Sequence, residues 1–114
     1  MDNIIEDKSF SFAIHVVRLN QYLRDKKGEY VLSKQLLRCG TSIGANVAES
    51  QQAQSRADFI SKMTIALKET FETKYWLRLL NATEYISESE FESIYHDCVE
   101  IEKILVTIVK SAKH

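Results

Sequence analysis

The side chains in this sequence that could do chemistry are three histidines, sixteen carboxylates, two cysteines and several serines, and their spacing decides against most of it. A di-iron site inside a helical bundle needs inward glutamates and two Glu-x-x-His pairs. Here Phe12 stands three residues before His15, Ser93 three before His96, and His114 is the last residue. Cys39 and Cys98 are too few for a disulfide framework and lack metal-ligand spacing, so they read as reduced core thiols. The serines have no basic partner at a helical spacing that would activate them. His96 and Asp97 are adjacent and so point in different directions on a helix. No HExxH, P-loop or dinucleotide fingerprint occurs. Gly40 and Gly44 precede no lysine in P-loop register; small residues four apart suit the close approach of another helix instead. The sequence therefore assigns no catalytic residue, no metal ligand and no cofactor.

Polar residues that interrupt apolar rows carry more information, because an ionisable group on a buried stripe must be paired. Glu102 lies on the row Tyr95, Cys98, Glu102, Leu105, Val109. Counting back through antiparallel links puts it level with Lys68, Thr41 and His15, which predicts a contact with His15 or Lys68. Lys74 falls on an inner row between Phe71 and Leu77, where its stem can cover apolar surface while the ammonium reaches water. Ser42, Asn46 and Glu49 form a row beside the inner face of the second helix. Asn46 is positioned to satisfy groups between helices, and Glu49 to pair with Lys62 or with a neighbouring subunit.

The elements that must hold these residues are helices. The chain has 114 residues, no proline and three glycines, too few turn formers for an all-β protein. Ser9 precedes Phe10, Phe12, Val16, Leu19 and Leu23 at helical spacing, and Lys26, Lys27 and Gly28 form a stop signal. A second helix is expected over 34–52, capped by Ser33, with Leu36, Gly40, Ile43 and Val47 inside. Ser55 with Asp58 opens a third carrying Phe59, Ile60, Met63, Ala66, Leu67, Phe71 and Leu77, which Asn81 would end. Ser87 with Glu90 is a capping-box pair before Phe91, Ile94, Tyr95, Cys98, Ile101, Leu105, Ile108 and Val109. Short links make neighbours antiparallel, so the expected fold is all-α, a single up-down-up-down four-helix bundle over residues 1–114. No apolar run spans a bilayer and the first residues lack a signal-peptide pattern, so a cytoplasmic protein without membrane partners is expected.

The net charge of −1 hides a polarity: residues 1–81 carry +3 and residues 82–114 carry −4, with no Lys or Arg between Glu84 and Glu102. Large apolar residues also outnumber the inner positions. Ile14 and Val17 on the first helix, and Ile65, Tyr75, Trp76, Leu79 and Leu80 on the third, form a candidate subunit interface. A basic third helix meeting an acidic fourth helix of another copy would build a head-to-tail ring.

The segments SIGANVAES (Ser42–Ser50), SRADFISKM (Ser55–Met63), IALKE (Ile65–Glu69) and ETKYWLRLL (Glu72–Leu80) resemble the bacterial four-helix-bundle family labelled 23S rRNA-intervening sequence protein. The resemblance covers nearly the whole chain. It implies an antiparallel bundle assembled as a ring, typically a homopentamer, and names no catalytic residue. The label records that some members are encoded within insertions in 23S rRNA genes, which is a location and not an activity. Accessory proteins of diversity-generating retroelements resemble the same bundle; they bind nucleic acid and a reverse transcriptase through a strongly basic surface, whereas this chain is near neutral. What the resemblance implies is a non-catalytic binding or scaffold module whose partner is RNA or a nucleic-acid-associated protein. The alternative is a structural ring that binds a protein without contacting nucleic acid. Phosphate contact needs clustered cations. The candidates are Arg18, Arg24, Lys26, Lys27, Lys34 and Arg38 around the first hairpin, with Arg56, Lys62 and Arg78 on the third helix; Asn46 and Glu49 are the polar positions of the family motif.

Overall fold

Short polar side chains set the helix ends. In the computed structural model, which describes residues 3–113, α1 spans Ile4–Lys27, α2 Leu32–Ser50, α3 Arg56–Ala82 and α4 Glu88–Lys113. Asn3 accepts from the Glu6 N–H at 3.1 Å, Ser55 from Asp58 at 3.0 Å and Ser87 from Glu90 at 3.1 Å, each satisfying a donor that the helix leaves open. Gly28 ends α1 at φ 62°, the left-handed conformation that costs glycine least, and the Glu29 N–H turns back to the Leu23 carbonyl at 2.9 Å.

Three sequence expectations shift. Helix α1 is capped by Asn3 rather than Ser9; Ser9 lies buried inside it and its hydroxyl donates to the Glu6 carbonyl at 3.2 Å. Helix α2 begins at Leu32, and its cap is Glu29 rather than Ser33. The Glu29 carboxylate accepts from the N–H groups of Val31 (3.2 Å), Leu32 (3.0 Å) and Ser33 (2.7 Å), and the Ser33 hydroxyl donates to the Glu29 carbonyl at 2.8 Å. Burial alone would raise the Glu29 pKa, but these hydrogen bonds outweigh it and hold the carboxyl below its ordinary value. Helix α3 runs through Asn81 to Ala82, and the Thr83 N–H turns back to Leu79.

Each helix packs on its chain neighbours and α1 closes on α4; among the described residues the backbones of the diagonal pairs stay apart, and only side chains fill the space between them. The result is the antiparallel all-α bundle expected from the sequence, 44 × 23 × 20 Å. Its core joins Phe12, Val16, Leu19 and Leu23 of α1 to Leu36, Ile43 and Val47 of α2, with Met63, Ala66, Leu77 and Leu80 of α3 and Ile94, Cys98, Ile101 and Leu105 of α4. Phe10 and Phe71, expected inside, are exposed. Phe10 stands about 200° around the helix from Phe12, and the inner positions beside Phe71 belong to Thr70 and Thr73.

Gly40 and Gly44 serve the close approach that their spacing suggested. A Cβ on Gly40 would lie 2.9 Å from both Val16 methyls, and one on Gly44 would lie 3.2 Å from the Ser9 carbonyl oxygen. Gly40→Ala trades about 1 kcal/mol of helix propensity against about 1–3 kcal/mol of overpacking, so its unfolding free energy in urea titration is expected to fall by about 1 kcal/mol. In a double-mutant cycle with Val16→Ala the double variant should exceed the sum of the singles in stability; additivity would remove the steric account.

Glu29→Gln tests the ionic cap. Because the folded-state pKa is depressed, the stabilisation is complete above the ordinary glutamate pKa and is lost as pH falls through the folded value. Urea titrations should show the variant about 1 kcal/mol less stable at neutral pH, with the two stability curves converging in acid. Parallel curves would show that the carboxylate charge contributes nothing to the cap.

Candidate functional site

The link between α1 and α2 is short and tightly bonded, and this determines what it displays. Glu29 is folded inward by its four hydrogen bonds to Val31, Leu32 and Ser33, while Asn20, also buried, donates to the Ser33 carbonyl at 3.0 Å. Around this fixed turn stand Arg24, Lys26, Lys27 and Lys34, all exposed and without an ion pair among the described residues. Asp25 is the exposed carboxylate among them. Tyr30 (59% exposed) and Val31 (72%) project from the turn, and the Arg24 guanidinium lies 5.8 Å from the Tyr30 ring centroid. Four cations and an aromatic side chain thus share one end of the bundle.

The other candidate cations are dispersed. Arg38 is held by Glu69 at 3.3 Å and by Glu72, whose carboxylate also accepts from the Trp76 indole at 3.0 Å. Arg56 and Lys62 are at the opposite end, where Arg56 donates to the Ala112 carbonyl at 2.7 Å and Lys62 stands 3.6 Å from Glu49. Arg18 lines a groove between α1 and α4 with His15, Tyr22, Ser87 and Glu90; Arg78 lines another between α3 and α4 beside Tyr75 and Phe91. The hairpin cluster is therefore Arg24, Lys26, Lys27 and Lys34, and Arg38, Arg56 and Lys62 lie outside it.

The polar groups on inner rows are satisfied within the bundle. Asn46 bonds inside its own helix, to the carbonyl (2.9 Å) and hydroxyl (3.1 Å) of Ser42, and not between helices. Glu102 accepts from Lys74 at 2.6 Å, in place of the expected His15 or Lys68. Side chains lean toward the N-terminus of their own helix. In an antiparallel pair Lys74 and Glu102 therefore lean toward each other, whereas Lys68 leans away. The Glu102 hydrogen bond, opposed by burial, raises the Lys74 pKa, and the rings of Phe71 and Tyr95 lie within 5.9 Å of the ammonium. His15 is paired instead with Glu90 at 3.0 Å and Asp97 at 3.8 Å. Both cysteines are buried free thiols; burial pushes Cys39 to about 11 and Cys98 to about 12, which keeps them protonated.

The candidate interface residues separate by depth. Ile14, Val17, Ile65 and Tyr75 are exposed, Leu79 and Trp76 are half-buried, and Trp76 packs edge-on to Tyr75 with centroids 5.1 Å apart. Leu80 is fully buried in the core and drops out of the interface, since one face of α3 cannot serve both. Phe10 (68% exposed) belongs with Ile14 and Val17, at i, i+4 and i+7 along one stripe of α1. That spacing is legible in the sequence, although hydrophobicity alone places Phe10 with the core.

The 23S rRNA-intervening sequence protein family matches residues 1–107. The chain is also similar to a crystal structure of a protein with unknown function from the S23 ribosomal protein family of Bacteroides thetaiotaomicron VPI-5482. The two share 56% identity and a TM-score of 0.92 over 93% of this chain and 98% of that one. No curated protein matches the chain.

Proposed function

Because the chain belongs to the 23S rRNA-intervening sequence protein family, we propose that it is a non-catalytic, cytoplasmic, one-domain module that assembles as a ring and holds RNA. The observation that carries the reading is the gathering of Arg24, Lys26, Lys27 and Lys34, unpaired among the described residues, at one end of the bundle. A phosphate backbone rewards such a cluster through counterion release, and a closed ring repeats it once per subunit. The family's four-helix form and its lack of an indicated catalytic activity agree with this role. The sequence resemblance to retroelement accessory proteins implies the same ligand class, although the cations of this near-neutral chain gather only at one hairpin.

The ring is the second part of the proposal. Phe10, Ile14 and Val17 form an exposed apolar stripe on α1, and Ile65, Tyr75 and Leu79 face outward on α3. Such faces on two different helices suit a heterologous contact, which builds a ring where its rotation closes, and the family resemblance favours a closed ring of five subunits. Sedimentation equilibrium should give a species about five times the 13.2 kDa chain mass, and Ile14→Glu should dissociate it while leaving the helical signal intact. A wild-type monomer at micromolar concentration overturns the ring.

A second reading rests on α4. Glu88, Glu92 and Asp97 are exposed and no cation lies between Glu84 and Glu102, so a ring that recognises a basic protein segment is the competing assignment. Gel shifts with structured RNA across a salt series separate the two. RNA binding should weaken with salt, and Lys26→Ala/Lys27→Ala should flatten the log–log slope by about 1.4–1.8, the share of two phosphate contacts. Absence of any complex at low salt overturns the RNA reading in favour of the protein partner.

A further inference from the structure

The hairpin that gathers the cations also carries side chains that phosphate binding does not require. Tyr30 and Val31 are more exposed than any core-facing residue near them, and Tyr22 is exposed one turn before Lys26. Tyr30 lies outside the apolar core of the bundle and the residues packed against it, and its ring is open to solvent. Its position is nonetheless tightly set. Gly28 fixes the turn before it, and the bonds from Val31, Leu32 and Ser33 to Glu29 fix the backbone after it. A side chain with two rotatable bonds on a rigid backbone loses little entropy when it is covered.

We infer that this hairpin takes unpaired nucleotides, with a base stacked on Tyr30 and the flanking phosphates held by Arg24, Lys26, Lys27 and Lys34. The inference rests on the RNA reading above and adds its substrate class. In a duplex the bases stack on one another and offer only edges within grooves, which a projecting turn of a few residues does not enter. Unpaired bases present their faces, and aromatic side chains set among cations take them up without demanding a sequence. Arg24, lying 5.8 Å from the Tyr30 centroid, keeps a planar cation against the ring, and a guanidinium plane can itself stack on a neighbouring base. Glu29, next to Tyr30 in the chain, is buried and committed to the α2 backbone, which leaves Asp25 as the exposed carboxylate among the four cations.

Fluorescence anisotropy with a short unpaired RNA and a blunt duplex of the same length tests this on the full-length protein. The unpaired strand should bind about tenfold or more tightly than the duplex, and Tyr30→Ala should weaken it by about 5- to 150-fold, the range of one stacked base. Tyr30→Phe should bind like wild type, because stacking does not need the hydroxyl. Tyr30→Ala should leave the salt slope unchanged, whereas Lys26→Ala/Lys27→Ala should flatten it by about 1.4. Equal binding of duplex and single strand, or wild-type affinity in Tyr30→Ala while the lysine variant is impaired, overturns the inference and leaves the RNA reading standing. No binding of either RNA at low salt overturns both. Loss of the assembly in Tyr30→Ala by sedimentation assigns Tyr30 to a subunit contact, and equal competition by polyglutamate reduces the patch to charge alone; either result overturns the stacking role.

Discussion

The missing side chain at Gly40 governs how near α2 comes to α1, and much of the molecule follows from that distance. With the Val16 methyls where a Cβ would stand and the Ser9 backbone against Gly44, the two helices leave no room between them for a large residue. The apolar side chains of α1 are therefore divided sharply: Phe12, Val16, Leu19 and Leu23 go inward, and Phe10, Ile14 and Val17 are left outside. Close helices can also be joined by a short link. The four residues from Gly28 to Val31 suffice here because Gly28 reverses the chain and Glu29 supplies the acceptors that the first turn of α2 lacks. The end of the bundle that carries the cations is stiff for this reason.

Helix α3 solves a different problem, since it contacts both α2 and α4 and places two threonines in the core. Thr70 donates to the Ala66 carbonyl at 2.8 Å and Thr73 to Glu69 at 2.7 Å, so each hydroxyl is satisfied within α3 and needs no partner across the bundle. Thr73 also lies 3.2 Å from the Cys39 sulfur, and the Cys98 thiol 3.8 Å from the Thr70 carbonyl. A weakly polar layer of thiols and hydroxyls results, flanked by the Lys74–Glu102 pair. Among the described residues no buried side-chain polar atom lacks a partner. The α1–α4 seam is the sparsest of the four and is held at its surface by Lys8–Glu100 and His15–Glu90.

The architecture was legible because it depends on period and punctuation. Gly28, Ser55 and Ser87 act where their types and positions said they would, and the inner row Leu36, Gly40, Ile43, Val47 is buried throughout. The misses share one cause: a residue type allows several uses, and only neighbours choose among them. Ser9 looked like a cap, but Asn3 lay ahead of it and captured the helix start. Glu29 stands outside the residue types that usually cap a helix, yet the reversal at Gly28 aims its carboxylate at three N–H groups. The partner of Glu102 was missed because counting residues tracks the backbone, while side-chain lean carries Lys74 toward it. Phe10 and Phe71 were assigned inward on hydrophobicity where helical angle turned them outward.

Charge shows most clearly what tertiary structure adds to a count. Residues 1–81 carry a small positive excess, which as a sum says little about a ligand. Folding spends part of it locally: Lys8, Arg38, Lys62 and Lys74 each face a carboxylate, and Arg56 turns to a backbone carbonyl. The exposed pairs among these contribute little to stability, but all of them lower the field that their cations offer to a distant anion. The link carboxylate, Glu29, is neutralised in effect by the N-terminus of α2, where a helix dipole favours negative charge. The cations left unengaged around the first hairpin, Arg24, Lys26, Lys27 and Lys34, stay exposed and available to an anion. A near-neutral chain thus presents a locally basic turn without becoming a basic protein, and the acidic start of α4, which meets α1 beside Arg18 and Tyr22, borders that turn at the same end of the bundle.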